Sequence, residues 1–69
     1  MYNLIEEIAI DNNSNEQQVL EYAKMLNDVL PYSISDELFY ECLNDITYLS
    51  KKNKGDMLSI VERVVSSVL

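Results

Sequence analysis

The chain has 69 residues, of which twelve are acidic and five are basic, for a net charge of −7. It contains no histidine, a single cysteine and a single glycine. These counts exclude a histidine base, an intrachain disulfide, the usual thiolate zinc site and a glycine-rich phosphate loop, so we expect no enzymatic activity, no metal and no cofactor.

The length predicts one domain, residues 1–69, whose small core provides only marginal stability. Chains of this size often gain stability from a disulfide, a metal or a partner, which leaves association, and we expect a homodimer. The start of the chain lacks the basic and apolar regions of a signal peptide, and no apolar run approaches the ~20 residues that span a bilayer. A lone cysteine is typical of the reducing cytoplasm, where we expect this protein. We expect no contact with a membrane.

The charge is distributed unevenly along the chain. Residues 1–50 carry ten acidic side chains and one basic side chain, Lys24, for a net charge of −9. Direct DNA binding by this part is disfavoured, because phosphate contacts supply most of the non-specific affinity for DNA. Nothing in the pattern indicates a small-molecule substrate.

The first predicted element, within residues 1–13, is a short helix or an arm. Leu4, Ile5 and Ile8 share one helical face, and the polar run DNNSN ends the pattern because its side chains favour turns and caps.

The second element is a helix over residues 14–30. Its predicted N-cap is Ser14, with Gln17 as the partner in a capping box. The helix ends before Pro31, because the residue that precedes proline avoids the α region.

The third element is a helix over residues 35–52, capped by Ser33 or Ser35. Cys42 lies within its apolar stripe, which indicates a buried structural thiol. The core positions predicted for this helix are Leu38, Phe39, Cys42, Leu43, Ile46 and Leu49.

The fourth element is a helix over residues 54–69, with Asn53 as a candidate cap. Its apolar positions cover about half of the circumference at ~100° per residue, so the helix either sits centrally or pairs with a second copy. The positions predicted to lie in the core or the dimer interface are Leu58, Val61, Val64, Val65 and Val68.

The pattern as a whole predicts an all-α fold of three or four helices. We expect the last two helices to form an antiparallel hairpin and the dimer interface. The polar side of residues 35–52 is the candidate partner-binding surface, with the residues Glu37, Tyr40, Glu41, Asp45 and Tyr48. Burial of the two tyrosines in a dimer interface is an equally good interpretation.

Residues 19–69 resemble the small enterobacterial regulators of the YmgB/AriR type. VLEYAKMLNDVL resembles their first helix, YSISDELFYECLNDITYL the capped segment that follows, and KKNKGDMLSIVERVVSSVL their closing turn and amphipathic helix. The resemblance implies an all-helical, dimeric protein without enzymatic activity, of a family linked to biofilm formation, acid resistance and the control of signalling pathways. It carries over no functional residue.

Two functions are consistent with these features. The first is a non-enzymatic regulator that acts through protein–protein contacts. The alternative is an acidic inhibitor, of the kind encoded by phages or mobile elements, that mimics nucleic acid or blocks a basic surface of a host protein. A charge mimic should lose affinity steeply as salt increases, whereas an apolar contact between a helix and a groove should not.

Overall fold

The computed structural model describes residues 4–52 and 55–68. The regular structure within these residues is entirely helical, as predicted. The four helices are α1 (Leu4–Asp11), α2 (Glu16–Val29), α3 (Asp36–Lys52) and α4 (Met57–Val68).

The first helix is part of the core, since Ile8 and Ala9 are buried against α2 and α3. It ends in a Schellman motif. The N–H of Ser14 donates to the carbonyl oxygen of Ala9 at 2.7 Å, and the N–H of Asn13 donates to that of Ile10 at 3.2 Å. Asn13 adopts a φ of 52°, and asparagine tolerates this left-handed conformation better than most residues.

The cap of α2 is Asn15, not the predicted Ser14. The side-chain oxygen of Asn15 accepts a hydrogen bond of 2.7 Å from the N–H of Gln17. Ser14 instead belongs to the turn that ends α1: its N–H closes the Schellman motif, and its hydroxyl donates to the carbonyl oxygen of Asn12 at 3.4 Å. The helix continues to Val29, immediately before the break that Pro31 was expected to cause.

The third helix is capped by Ser35, whose hydroxyl oxygen accepts from the N–H of Leu38 at 3.2 Å. The last helix begins at Met57, later than the predicted residue 54, and the N–H of Ile60 donates to the carbonyl oxygen of Asp56 at 3.1 Å. The predicted cap at Asn53 lies outside the described residues.

The core lies where α2, α3 and α4 meet. Helix α4 packs against both α2 and α3, so much of its wide apolar stripe is covered within one chain. Burying one large aliphatic side chain contributes about 1.5–3 kcal/mol, so this cluster supplies most of the driving force for folding. The fully or nearly fully buried residues are Ile8, Ala9, Val19, Tyr22, Leu26, Cys42, Leu43, Ile46, Thr47, Ile60, Val61, Val64 and Val65.

The residues predicted for the core fall into three groups. Six are buried and appear in the cluster above, and Leu38, Phe39, Leu49 and Val68 are half-buried. Leu58 is 47% exposed, so within a single chain it does not belong to the core. At about 100° per residue it lies at one edge of the α4 apolar stripe.

Two buried polar groups were not predicted. The hydroxyl of Thr47 donates to the carbonyl oxygen of Leu43 at 2.9 Å, which satisfies this group inside the core. The hydroxyls of Tyr22 and Ser50 share a hydrogen bond of 3.2 Å between α2 and α3. Both groups show how the polar atoms of core-facing residues find partners.

Candidate protein-interaction surface

The exposed side of α3 carries Glu37, Glu41, Asp45 and Tyr48, which we call the acidic face. At about 100° per residue these four positions fall within an arc of about 80°. The opposite side of the helix carries the buried Leu43. Because α3 is held on its core side, the acidic face is presented on a fixed support.

Tyr40 does not lie on the acidic face, although the sequence predicted it there. It is half-buried and packs against the core, on the side of α3 that faces α1. Burial raises the pKa of Tyr40, and the carboxylates of Glu7 and Asp11 raise it further. The Oε2 atom of Glu7 is itself buried and finds no hydrogen-bond partner within the described residues.

The end of α1 is joined to α3 by polar contacts that the sequence did not reveal. The Asn12 amide donates to the side-chain oxygen of Asn44 at 2.9 Å and to the carbonyl oxygen of Ile8 at 2.9 Å. The Lys51 ammonium donates to the carbonyl oxygens of Asn12 and Asn13, at 2.7 and 2.8 Å. These contacts fix the position of α1 beside the polar flank of α3.

Tyr48 lies on the acidic face, in the part of α3 that adjoins α4. Its side chain is 48% exposed, and the ammonium of Lys52 lies 4.9 Å from the centre of its ring. A cation over an aromatic ring is attracted to it, so this contact restrains the tyrosine while it stays accessible.

A shallow groove of about 220 Å³ runs along the surface where α3 and α4 meet, beside Tyr48; we call it the α3–α4 groove. Its lining combines apolar side chains with charged or polar residues at its edges. The lining residues are Asp45, Tyr48, Leu49, Arg63, Val64, Ser67 and Val68.

The sequence missed Arg63 and Ser67 as parts of this surface. Their spacing showed only that they lie outside the apolar stripe of α4. These two residues line the groove because α4 packs with that side next to α3. The helical repeat of α4 alone does not show which neighbouring helix each side meets.

Cys42 is a structural residue in this arrangement. Only 1% of its surface is exposed. Burial raises the pKa of the thiol, and the carboxylates of Asp45 and Glu41 raise it further. The neutral thiol is a poor nucleophile, so this position favours packing over reactivity.

The described residues hold no group of three or more histidine, cysteine, aspartate or glutamate side chains placed to bind a metal ion. None of the four helices, over the ranges given above, is long and apolar enough to cross a membrane. What this part of the chain does offer is a charged helix face beside an apolar groove. Neither a family model, nor a curated protein sequence, nor a solved structure matches the chain.

Proposed function

We propose that this chain is a non-enzymatic regulatory protein that acts through contacts with another protein. The observation that carries this proposal is the acidic face of α3, which exposes three carboxylates and a tyrosine on a helix anchored from behind by the core. The resemblance of residues 19–69 to the YmgB/AriR-type regulators favours the same class and a bacterial cytoplasm, where a lone cysteine stays reduced.

Binding of a partner to this face would combine electrostatic attraction with apolar contact. The carboxylates of Glu37, Glu41 and Asp45 attract a basic partner and accelerate the encounter. Tyr48 provides the aromatic side chain that typically contributes a large share of the binding energy at an interface. The partner of the acidic face is therefore a protein with a basic surface.

The proposal includes a homodimer formed by an antiparallel hairpin of α3 and α4. Most apolar residues of the hairpin are already buried within one chain, which leaves few for an interface. Leu58, 47% exposed at the edge of the α4 stripe, is the residue that a second copy would cover. It lies some 140° around α4 from Arg63 and about 15 Å along the helix from Val68, so a contact centred on Leu58 would leave the α3–α4 groove open.

The test is capture of the partner by two variants of equal charge. The first, Glu41→Gln with Asp45→Asn, removes two carboxylates from the acidic face. The second, Glu21→Gln with Asp28→Asn, removes two exposed carboxylates from α2. We expect the first variant to lose a partner that the wild-type chain retains from host lysate, and the second to keep it. Equal capture by both variants and the wild type would contradict the proposal.

The alternative is an inhibitor that mimics nucleic acid or blocks a basic surface. It is favoured by the wide distribution of exposed carboxylates over α1, α2 and α3. Of the ten acidic residues in residues 1–50, nine are exposed and Glu7 is half-buried. A distributed charge predicts that both double variants weaken binding equally and that affinity falls steeply with salt. Those results would favour the inhibitor over the regulator.

A further inference from the structure

The α3–α4 groove combines an apolar interior with an exposed aromatic wall. Leu49 and Val68 are half-buried, and Val64 is 4% exposed. Tyr48 forms the exposed wall. A groove of about 220 Å³ with this lining accommodates an apolar anchor side chain.

The length of the groove fits a helix. From Arg63 to Val68 the α4 edge rises about 7.5 Å, at 1.5 Å per residue, or about one and a half helical turns. Residues spaced three or four apart on an entering helix would reach both ends of this edge. A groove between two packed helices also matches the shape of a third helix.

The charge around the groove selects the chemistry of that helix. The α3 edge meets the acidic face, with its three carboxylates, at Asp45. The cations beside the groove are Arg63, on the α4 edge, and Lys52, whose ammonium lies 4.9 Å from the centre of the Tyr48 ring. A second copy of this chain seated over this groove would bring its own acidic-face carboxylates beside those of the first copy, which is unfavourable, whereas the dimer edge proposed above, at Leu58, lies elsewhere on α4. A basic helix would be attracted.

We infer that the α3–α4 groove binds a basic amphipathic helix of a partner protein, which places an apolar anchor beside Tyr48 and a lysine or arginine beside Asp45. The inference rests on the proposed function and adds the partner's chemistry and the place where it docks. Arg63 and Ser67, on the opposite edge, would accept a polar or acidic residue of the same helix.

The experiment uses two labelled peptides made of leucine and lysine. In the first, leucines recur at i, i+3, i+4 and i+7 and so form one apolar stripe. The second has the same composition and charge but no stripe. At physiological ionic strength, fluorescence anisotropy should show the striped peptide binding the full chain at least about tenfold more tightly than its permuted control. Equal affinity would mean attraction by charge alone and would overturn the inference.

Two matched variants test whether the peptide binds in the α3–α4 groove. We expect Tyr48→Ala to weaken binding of the striped peptide about tenfold. The control is Tyr32→Ala, in the loop between α2 and α3, where the tyrosine side chain is 61% exposed; we expect it to leave binding unchanged. Circular dichroism would verify that both variants remain helical. Equal effects of the two variants would overturn the assignment of the groove.

A second copy in the groove is a separate outcome. If Tyr48→Ala converts a wild-type dimer into a monomer in sedimentation equilibrium, the groove belongs to the dimer interface and the inference is wrong. If the peptide fails while the acidic-face double variant still loses the natural partner, the inference fails and the proposed function stands. If the double variant also keeps that partner, the proposed function fails as well.

Discussion

The ammonium group of Lys51, near the end of α3, donates at 2.7 Å to the carbonyl oxygen of Asn12, just past the end of α1. The last carbonyl groups of a helix lack partners within the helix and carry partial negative charge. A lysine far away in the sequence therefore completes the end of α1. Together with the burial of Ile8 and Ala9, this contact holds in the fold a helix of eight residues, which is too short to be stable alone.

Replacing Lys51 with methionine keeps much of the aliphatic side chain and removes the charge and the donors. We expect the free energy of unfolding to fall by about 1 kcal/mol, because two solvent-exposed hydrogen bonds and a favourable helix-dipole interaction are lost. Urea denaturation measures the change, with Lys24→Met on the exposed side of α2 as the control. The same loss in both variants would show that overall charge, and not the contact with α1, is responsible.

The cap of α3 provides a second test. Ser35→Ala removes the oxygen that accepts from the N–H of Leu38 and should cost about 1 kcal/mol. Ser33→Ala, in the exposed turn before the helix, should change stability by less than about 0.5 kcal/mol. Thermal denaturation of the two variants measures both effects. A larger loss of stability for Ser33→Ala would show that Ser33, and not Ser35, caps α3.

Substitutions at two positions on α4 distinguish effects on folding from effects on association. Val61 is fully buried, so Val61→Asp places a charge in the core, and we expect a loss of several kcal/mol that unfolds so small a domain. Leu58 is 47% exposed, so Leu58→Asp should leave the helical content unchanged while it weakens the proposed homodimer. Circular dichroism measures the first effect and sedimentation equilibrium the second. A stable dimer of Leu58→Asp would exclude this edge of α4 from the interface.

The environment of Tyr40 predicts how stability depends on alkaline pH. The tyrosine has an ordinary pKa of 10.0, and in the folded chain burial and two carboxylates raise it. Above the pKa of the unfolded chain the folded state therefore binds more protons, so the stability from this group is complete below about pH 10 and is lost as the pH rises through the folded pKa.

Tyr40→Phe removes this titration. Urea midpoints measured from about pH 9 to about pH 11 should fall less steeply for Tyr40→Phe than for the wild-type chain. Tyr32→Phe, at an exposed loop position, serves as the control. Parallel curves for the wild type and Tyr40→Phe would contradict the effect of burial on Tyr40.

Much of the secondary structure was predictable, because helix periodicity and capping depend on neighbours in the sequence. The stripe around Leu43 and Ile46, the break before Pro31 and the cap at Ser35 are all local features. The error at the start of α2 was also local. Ser14 was a plausible cap, but the Schellman motif that ends α1 extends to Ser14, so α2 starts one residue later than predicted and Asn15 occupies the capping position.

The surface was predictable only in part. Glu37, Glu41, Asp45 and Tyr48 share one side of α3, and spacing along the helix is enough to show this. The position of Tyr40 was not predictable in the same way. Its side of the helix is covered by α1, and a helical repeat in α3 carries no information about which neighbour covers which flank.

The helical class, the apolar stripes of α3 and α4 and the acidic side of α3 were all predictable from local sequence, since each depends on residues within a few turns of one another. The folded chain was needed to show that α1 belongs to the core, that Leu58 stays exposed and that Arg63 and Tyr48 line the same groove. These features depend on how whole helices pack. The packing is the sum of many weak contacts between residues distant in the chain, and no local pattern records it.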